Sequence, residues 1–402
     1  MIPRPGWRPF LLALPIAALS VVPVFGQTEH HHHEDTPPPE PAWTWSWGAN
    51  VFAGWNYQLR KFRDFDAIES QNWLMGAGER KLGPGRLRFH SMLSLEPFTV
   101  EALGSPQVFQ TGETYASVPL IDYQHPHDLF MDLGATWGRQ TDSGRAYVEV
   151  DAVGAPALGP PPFMHRASAQ ENPTAPLSHH QLDATHITHG VVTGGIEHRG
   201  VMFEASWFRG KEPDENRTDI EMGKLDSYSG RVTVTRGAWQ LQASAGHLKT
   251  PEFVEPFNDV TRLTASLAYT GANGKLATTL AWGQNREVHG DLDAYLAEAL
   301  WRPRDRQSWY VRAELATKDI LGASGPHPRG FVHFHPLSRV GALTVGHVFD
   351  LVNSRAGLFG IGGDVTGYHV PSNLRDSYGS PVSFHVFVRY RGGNHAGHAG
   401  HN

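Results

Sequence analysis

The sequence predicts an all-β fold, a transmembrane antiparallel β-barrel of about 16 strands with long extracellular loops. Three observations lead to this fold class. Apolar and polar residues alternate with a period of two along most of the chain. The links between the alternating segments are by turns short and long, and tryptophan and tyrosine lie near the ends of the segments rather than at their centres.

The chain begins with a predicted signal peptide, residues 1–26. Arg4 and Arg8 give its start a positive charge, and the apolar stretch 10–24 that follows is interrupted by prolines. A segment this short and broken is typical of an export signal and not of a membrane-spanning helix. Residues 27–42 are rich in histidine and proline, and we expect them to form an unpacked tail in the periplasm.

We expect the barrel to occupy residues 43–391 and a second histidine-rich tail to occupy residues 392–402. In segment 86–96, Phe89 lies on one face of the predicted strand and His90 on the other. Such alternation turns one face of each strand to lipid and the other to the lumen. The residues predicted to line the lumen are Arg86, Arg88, His90, Asp132, Glu149, Asp151, Glu204, Arg312 and Glu314.

The connections predict which end of each strand faces the cell exterior. Outer-membrane barrels have tight periplasmic turns and longer outer loops. Short links with turn residues lie at 81–85, 140–144, 198–200, 235–239, 271–274, 303–307 and 352–356. Longer loops are expected near 60–69, 97–126, 155–187, 210–227, 247–257, 284–290, 317–337 and 368–379.

Composition excludes several other classes of protein. The chain has no cysteine, so no disulfide stabilises it, and its net charge of −6 provides no basic surface for nucleic acid. The alternative to the barrel is a large secreted β-sandwich or propeller. A propeller would repeat its sequence about every 40 to 50 residues, and the chain shows no such repeat. The expected partners are the lipid bilayer and small ions or solutes.

Six segments resemble the signatures of an uncharacterised family of porin-like outer-membrane β-barrel proteins of Gram-negative bacteria. The resemblance implies the barrel fold and a location in the bacterial outer membrane, and it carries no activity. The segments are MLSLEPFTV (92–100), FQTGETY (109–115), QHPHDLFMDL (124–133), ALGPPPFMHR (157–166), LSHHQLDATHITHGVVTGG (177–195) and GKEPDENRTDIEMGKLDSYSGR (210–231).

The chain holds 24 histidines, and several of them lie in or next to two predicted outer loops. Loops 97–126 and 155–187 neighbour each other in the barrel, so they can fold together into its mouth. A mixed shell of imidazoles and carboxylates suits Zn or Cu(II), and the histidine-rich tails suit weak metal capture. The alternative is a hydrogen-bonded plug that closes the lumen. The candidate metal ligands are His125, His127, Asp128, His165, His179, His180, Asp183, His186 and His189.

The leading functional hypothesis is a porin-like outer-membrane channel, with binding or transport of a transition metal, Cu or Zn, as its sharper form. The rival hypotheses are a plugged structural barrel and a barrel-embedded hydrolase with a histidine-rich site at the extracellular mouth. The chain has no G-x-S-x-G or H-E-x-x-H motif, which disfavours an enzyme, and no catalytic residue is assigned. Ser178 beside His179 is one conceivable catalytic pair.

Overall fold

The computed structural model describes residues 42–252, 257–288, 290–321 and 337–394. The predicted signal peptide, most of both tails and His327, His333 and His335 lie outside these residues. Within them the strands are β1 (Thr44–Arg60), β2 (Arg63–Glu69), β3 (Asn72–Leu82), β4 (Gly85–Leu93), β5 (Ser105–Tyr115), β6 (Val118–Gln124), β7 (Phe130–Thr141), β8 (Gly144–Gly154), β9 (Thr188–His198), β10 (Val201–Phe208), β11 (Ser227–Arg236), β12 (Trp239–Leu248), β13 (Val260–Thr270), β14 (Leu276–Glu287), β15 (Gly290–Arg304), β16 (Gln307–Lys318), β17 (Ser338–Ser354), β18 (Gly357–His369) and β19 (Val382–Gly393).

These strands close into a 16-strand antiparallel barrel, which confirms the predicted fold class. Each wall strand pairs antiparallel with its neighbours, and β1 pairs with β19 to close the ring. β2 and β3 both pair with β1, so together they form a single wall strand with a break at residues 70–71. β5 and β6 form a separate two-stranded sheet that does not belong to the wall.

Two predicted long loops are wrong. The chain turns at residues 61–62, where Phe62 adopts a φ of 67°, and residues 63–69 are strand β2. Likewise β14 and β15 pair up to Glu287 opposite Gly290, so residues 284–287 belong to β14 and are not part of a loop. Polar residues such as Asp66 lie on the outward face of β2, close to the turn at residues 61–62. Because this rim of the barrel extends beyond the lipid, the outward face need not be apolar.

The outward face of the wall is apolar, as the alternation predicts. Exposed large side chains on it include Ile196, Phe203, Leu241, Leu280 and Val386. Inward-facing groups are buried even when they are charged, and Arg262 and Arg389 are 2% and 1% exposed. Since arginine is seldom so buried without partners, the lumen must be filled by other parts of the chain.

Two outer loops fill the lumen, and we call residues 94–129 loop A and residues 155–187 loop B. Loop A contains the short helix α1 (Glu96–Thr99) and the β5–β6 hairpin. Loop B contains the helix α2 (His179–Leu182) and 3-10 turns at Phe163–His165 and Ala184–His186. A third short helix, α3 (Arg375–Tyr378), follows a 3-10 turn at Ser372–Leu374.

The main apolar core therefore lies inside the barrel. Phe163 and Met164 of loop B pack with wall residues that include Trp73, Leu300 and Phe387. The Phe163 and Trp73 rings meet edge to face, with their centroids 6.5 Å apart. None of the helices in the described part of the chain is long and apolar enough to cross a membrane.

Candidate functional site

Loop B crosses the lumen and hydrogen-bonds to the wall on several sides. At its start the Ala157 amide donates to Ser206 Oγ of β10 at 2.7 Å, and further along Ser168 Oγ lies 2.7 Å from Thr279 Oγ1 of β14. Further loop–wall hydrogen bonds join Gly159 to Ser244 of β12, Thr174 to Arg312 of β16, Ser178 to Glu314 of β16 and Gln170 to Arg391 of β19. A loop bonded to strands around the ring blocks a straight path through it.

A buried ion-pair network holds the middle of loop B. Arg166 donates to Asp183 within the loop at 2.5 Å and to Glu298 of β15 at 2.9 Å. Arg312 of β16 donates to the other oxygen of Glu298 at 2.8 Å. These four side chains are each no more than 3% exposed. Because charges buried this deeply require compensation, the network is stable only while loop B stays in the lumen.

The tip of loop B carries a second set of charges. Glu171 is 2% exposed and contacts Arg302 of β15 at 3.1 Å and Arg389 and Arg391 of β19 at 3.3 and 3.0 Å. Burial raises the pKa of Glu171, but the three arginines outweigh it and the net pKa is lowered. Arg302 lies near the end of β15 that leads into a short turn, and Arg391 of β19 pairs with Leu358, next to the short turn between β17 and β18. Loop B therefore reaches through most of the barrel.

Arg217, from the outer loop that precedes β11, contacts two carboxylates of loop A. It pairs with Glu113 and donates to Asp128 at 3.1 Å, and His125 Nε2 lies 3.0 Å from Glu113 Oε1. Burial raises the pKa of Glu113, but Arg217 and His125 outweigh it and the net pKa is lowered. His189, at the start of β9, lies 3.6 Å from Asp128 through Nε2.

Most of the predicted loop histidines come together where loop A meets loop B. The ring centroids of His127 and His186 are 5.4 Å apart, and those of His179 and His186 are 5.1 Å apart. His180 continues the cluster at 5.5 Å from His179, and His125 lies 6.3 Å from His180. We call these five side chains the histidine cluster. His165, another candidate ligand, is exposed and is not among these five.

Each central imidazole is oriented through Nδ1. His127 Nδ1 lies 2.9 Å from Glu96, His179 Nδ1 lies 2.6 Å from Asp183, and His186 Nδ1 lies 2.9 Å from the Asp183 carbonyl. In the part of the chain that the structure describes, the Nε2 atoms of His127 and His186 are buried and have no hydrogen-bond partner. Imidazoles held through one nitrogen and open at the other are typical of metal sites.

The histidine cluster is, however, not a preformed three-ligand site. In the described ranges, the groups of three whose ligand atoms all lie within 4.8 Å are His90, Asp132 and Asp151, and Asp214, Asp219 and Glu221. Neither group includes a member of the cluster. The rings touch one another in a chain rather than around a common centre, so a metal there requires side-chain rotation.

Burial and neighbouring charges shift the pKa values of the clustered histidines in different directions. It lowers the pKa of His180 and His186 well below the usual value, and the neighbouring His179 lowers both further. Burial also lowers the pKa of His127, but the Glu96 carboxylate outweighs it and the net pKa is raised. Close to neutral pH the loop B histidines are therefore held neutral, while the proton on His127 is stabilised.

The conceivable pair Ser178 and His179 does not form a nucleophile and base in this geometry. Ser178 Oγ donates to Glu314 at 2.9 Å, while His179 is bonded to Asp183. A serine activated for attack would instead donate to the imidazole.

The predicted lumen-lining residues bond mainly to one another or to loop B. Arg86 pairs with Glu79 and is the most exposed of them, with 51% of its side chain accessible. Glu204 pairs with Arg231, and Arg312 and Glu314 contact loop B as described. The others form one wall cluster of His90, Asp132, Glu149 and Asp151, beside Arg88. Arg166, Glu171, Arg217 and Glu96 were not identified from the sequence, because single charges in loops carry no periodic signal.

Comparison with known proteins supports the fold. No family model and no curated protein matches the chain. The solved structure of a Salmonella typhi OmpF complex with daunomycin matches with a TM-score of 0.51 at 9% identity, over 86% of this chain and 96% of that one. The outer membrane channel DcaP of Acinetobacter baumannii matches with 0.50 at 7%, over 87% and 96%. A loop-deletion mutant of Vibrio cholerae OmpT matches with 0.50 at 9%, over 87% and 100%.

The fold is therefore that of the porin-like β-barrels of the bacterial outer membrane. The predicted outer-membrane location agrees with it, as does the apolar outward face of the wall.

Proposed function

We propose that this protein is an outer-membrane channel for small ions or solutes, closed in the described conformation by loop B. A barrel of about 16 strands is wide enough for an aqueous path unless loops fill it. The observation that carries the proposal is the tip carboxylate of Glu171, which reaches three wall arginines beyond the middle of the barrel. Withdrawal of loop B would therefore clear the part of the lumen that its tip occupies.

The polar character of the contacts favours a movable loop over a permanent core. The Glu171, Arg166 and Ser168 contacts with the wall are ion pairs or hydrogen bonds, and water can replace each of them when the loop withdraws. The wall strands keep their hydrogen bonds to one another when loop B withdraws. Phe163 and Met164 oppose withdrawal because they lose apolar contacts, so we expect openings to be rare and brief.

A disulfide lock tests the proposal, since the chain has no cysteine of its own. Ser168 Oγ and Thr279 Oγ1 lie 2.7 Å apart, so Ser168→Cys with Thr279→Cys can bridge loop B to β14. The matched control is Thr344→Cys with Thr366→Cys, whose hydroxyls lie 2.8 Å apart and which joins the wall strands β17 and β18. Bridge formation is verified by mass spectrometry.

In planar bilayers the wild-type protein should give discrete current steps. Oxidation should abolish them in the loop–wall pair, reduction should restore them, and the control pair should conduct in both states. Steps that persist through a verified loop–wall bridge would show that loop B is not the gate. A wild-type protein that stays silent in long recordings would instead favour the plugged structural barrel.

The histidine cluster supports a second candidate function, binding of Zn or Cu. The observation in its favour is the pair of buried Nε2 atoms on His127 and His186, neither of which has a hydrogen-bond partner within the described ranges. In protein lacking residues 27–41 and 395–402, His127→Ala with His186→Ala should lower the metal content measured by elemental analysis by one equivalent, while the exposed His165→Ala should not. A metal content that the double substitution leaves unchanged would exclude the cluster as the site.

A further inference from the structure

A second group of possible ligands lies in the barrel wall, away from the histidine cluster. His90 of β4, Asp132 of β7 and Asp151 of β8 come from three adjacent strands, with ligand atoms all within 4.8 Å of one another. His90 Nδ1 lies 2.6 Å from Asp132 Oδ2, and His90 Nε2 points the other way, 3.3 Å from Thr136 Oγ1 and 3.7 Å from Asp151 Oδ1. Glu149 adds a further carboxylate, 3.9 Å from the same Nε2.

The Asp151 carboxylate is the unusual member of this group. Its side chain is 1% exposed, and both of its oxygens are buried without a hydrogen-bond partner among the described residues. A buried carboxylate without partners is costly unless a proton or a cation neutralises it.

The backbone around Asp151 is shaped to admit this carboxylate. A Cβ added at Gly134 would lie 1.7 Å from Asp151 Oδ1, and one added at Gly154 would lie 2.6 Å from Oδ2. The β7–β8 register also shifts here, from Leu133 opposite Val153 to Gly134 opposite Asp151. A bulge of this kind re-aims the side chain beside it, so the strand geometry itself directs the carboxylate toward His90.

The group carries an excess of negative charge. Asp132, Glu149 and Asp151 surround a single imidazole, and Thr136 donates its hydroxyl to Glu149 at 2.6 Å. Arg88 places one positive charge near His90, but one guanidinium does not balance three carboxylates. The side chains of Asp132 and Glu149 are 29% and 26% exposed, so an ion can approach from the lumen.

We propose that His90 Nε2, Asp151 and Glu149 bind a divalent transition-metal ion of the Zn²⁺ class, with Asp132 orienting His90 through Nδ1. One imidazole nitrogen with carboxylate oxygens suits Zn²⁺, whereas Mg²⁺ and Ca²⁺ prefer oxygen alone. Tetrahedral Zn²⁺ with bonds near 2.1 Å places neighbouring ligand atoms about 3.4 Å apart. The observed 3.7 and 3.9 Å separations need to contract by only a few tenths of an ångström.

The experiment uses the folded barrel without residues 27–41 and 395–402, so that the tails cannot hold the ion. Zn²⁺ binding is measured by calorimetry, and Co²⁺ is used as a probe because its visible spectrum reports tetrahedral coordination. We expect one Zn²⁺ in this site, lost in Asp151→Asn and in His90→Gln. Asp132→Asn should weaken it by about 10- to 100-fold, as expected for a group that orients a ligand.

The matched control is Asp364→Asn, in the other His–Asp pair of the wall. His385 Nδ1 lies 2.8 Å from Asp364, and Tyr310 donates to the same carboxylate at 2.7 Å, so that pair is already satisfied. The control and the His127→Ala with His186→Ala variant should both still bind Zn²⁺ at the wall site. Absence of Zn²⁺ and Co²⁺ binding by the folded parent, or binding unchanged in Asp151→Asn and His90→Gln, would leave a protonated Asp151 as the explanation and overturn the proposal. Conductance is a separate readout, so failure here does not test the channel.

Discussion

Asp183 determines much of the geometry of loop B. Its carboxylate accepts from Arg166 and bonds His179, and its carbonyl bonds His186. The sequence identified Asp183 as a possible metal ligand, but in the structure its oxygens are occupied by these partners. Asp183 thus stabilises the fold of loop B. The sequence alone does not distinguish this role from metal binding, because it does not show which distant charged side chain reaches Asp183.

We expect Asp183→Asn to weaken the docking of loop B by about 3 to 5 kcal/mol, because Arg166 loses a buried charge partner. The measurement is limited proteolysis at loop B in intact barrel, with Asp142→Asn at an exposed turn as the control. Equal resistance of the two variants would contradict the role given to this network.

Acidification should favour withdrawal of loop B. The docked loop holds the pKa of His180 and His186 below the usual value, so protons bind more strongly to the withdrawn loop as pH falls below about 6.5. Each histidine can shift the equilibrium by at most about tenfold per pH unit below that value. His127, on loop A, has a raised pKa and acts in the opposite direction above this range.

Open probability in bilayers between about pH 7.5 and 5.5 checks this sign. It should rise with acid in the wild type and lose most of that rise in His180→Gln with His186→Gln. A fall in open probability with acid would mean that the raised pKa of His127 dominates.

At the scale of elements, alternation identified the wall strands because each strand has one face to lipid and one to the lumen. It failed where that contrast weakens, at β2, whose outward Asp64 and Asp66 lie near the rim. It also missed the β5–β6 hairpin, which lies within loop A. There Ala116 and Ser117 adopt φ values of 52° and 61°, and neither is the Asn or Gly that marks such a turn in a sequence.

Ser117→Gly should stabilise this hairpin by about 0.5 to 1 kcal/mol, since glycine tolerates the left-handed backbone. The amides of Ala116 and Ser117, which donate to Glu215, should exchange hydrogen more slowly as a result. Ser143→Gly, in another turn but without a positive φ, should give no gain. Faster exchange in Ser117→Gly would mean that the serine side chain stabilises the turn more than the backbone strain costs.

At the scale of the molecule, local sequence patterns predicted the barrel wall. The packing of the loops inside it depends on contacts between residues that are far apart in the sequence. A strand's alternation is visible within ten residues, whereas Glu171 meets Arg391 across 220 positions. The histidine-rich loops indicated where the two loops meet, but not that loop B would extend to the far end of the lumen. That depends on the summed fit of Phe163, Arg166 and Glu171 against the wall.

Conductance of a barrel that lacks the tip of loop B, residues 160–176, tests most directly whether this loop closes the lumen. The shortened protein, shown to be folded by its shifted gel mobility before boiling, should give large and steady current steps while the full chain is mostly closed. Identical conductance of the two proteins would contradict the account.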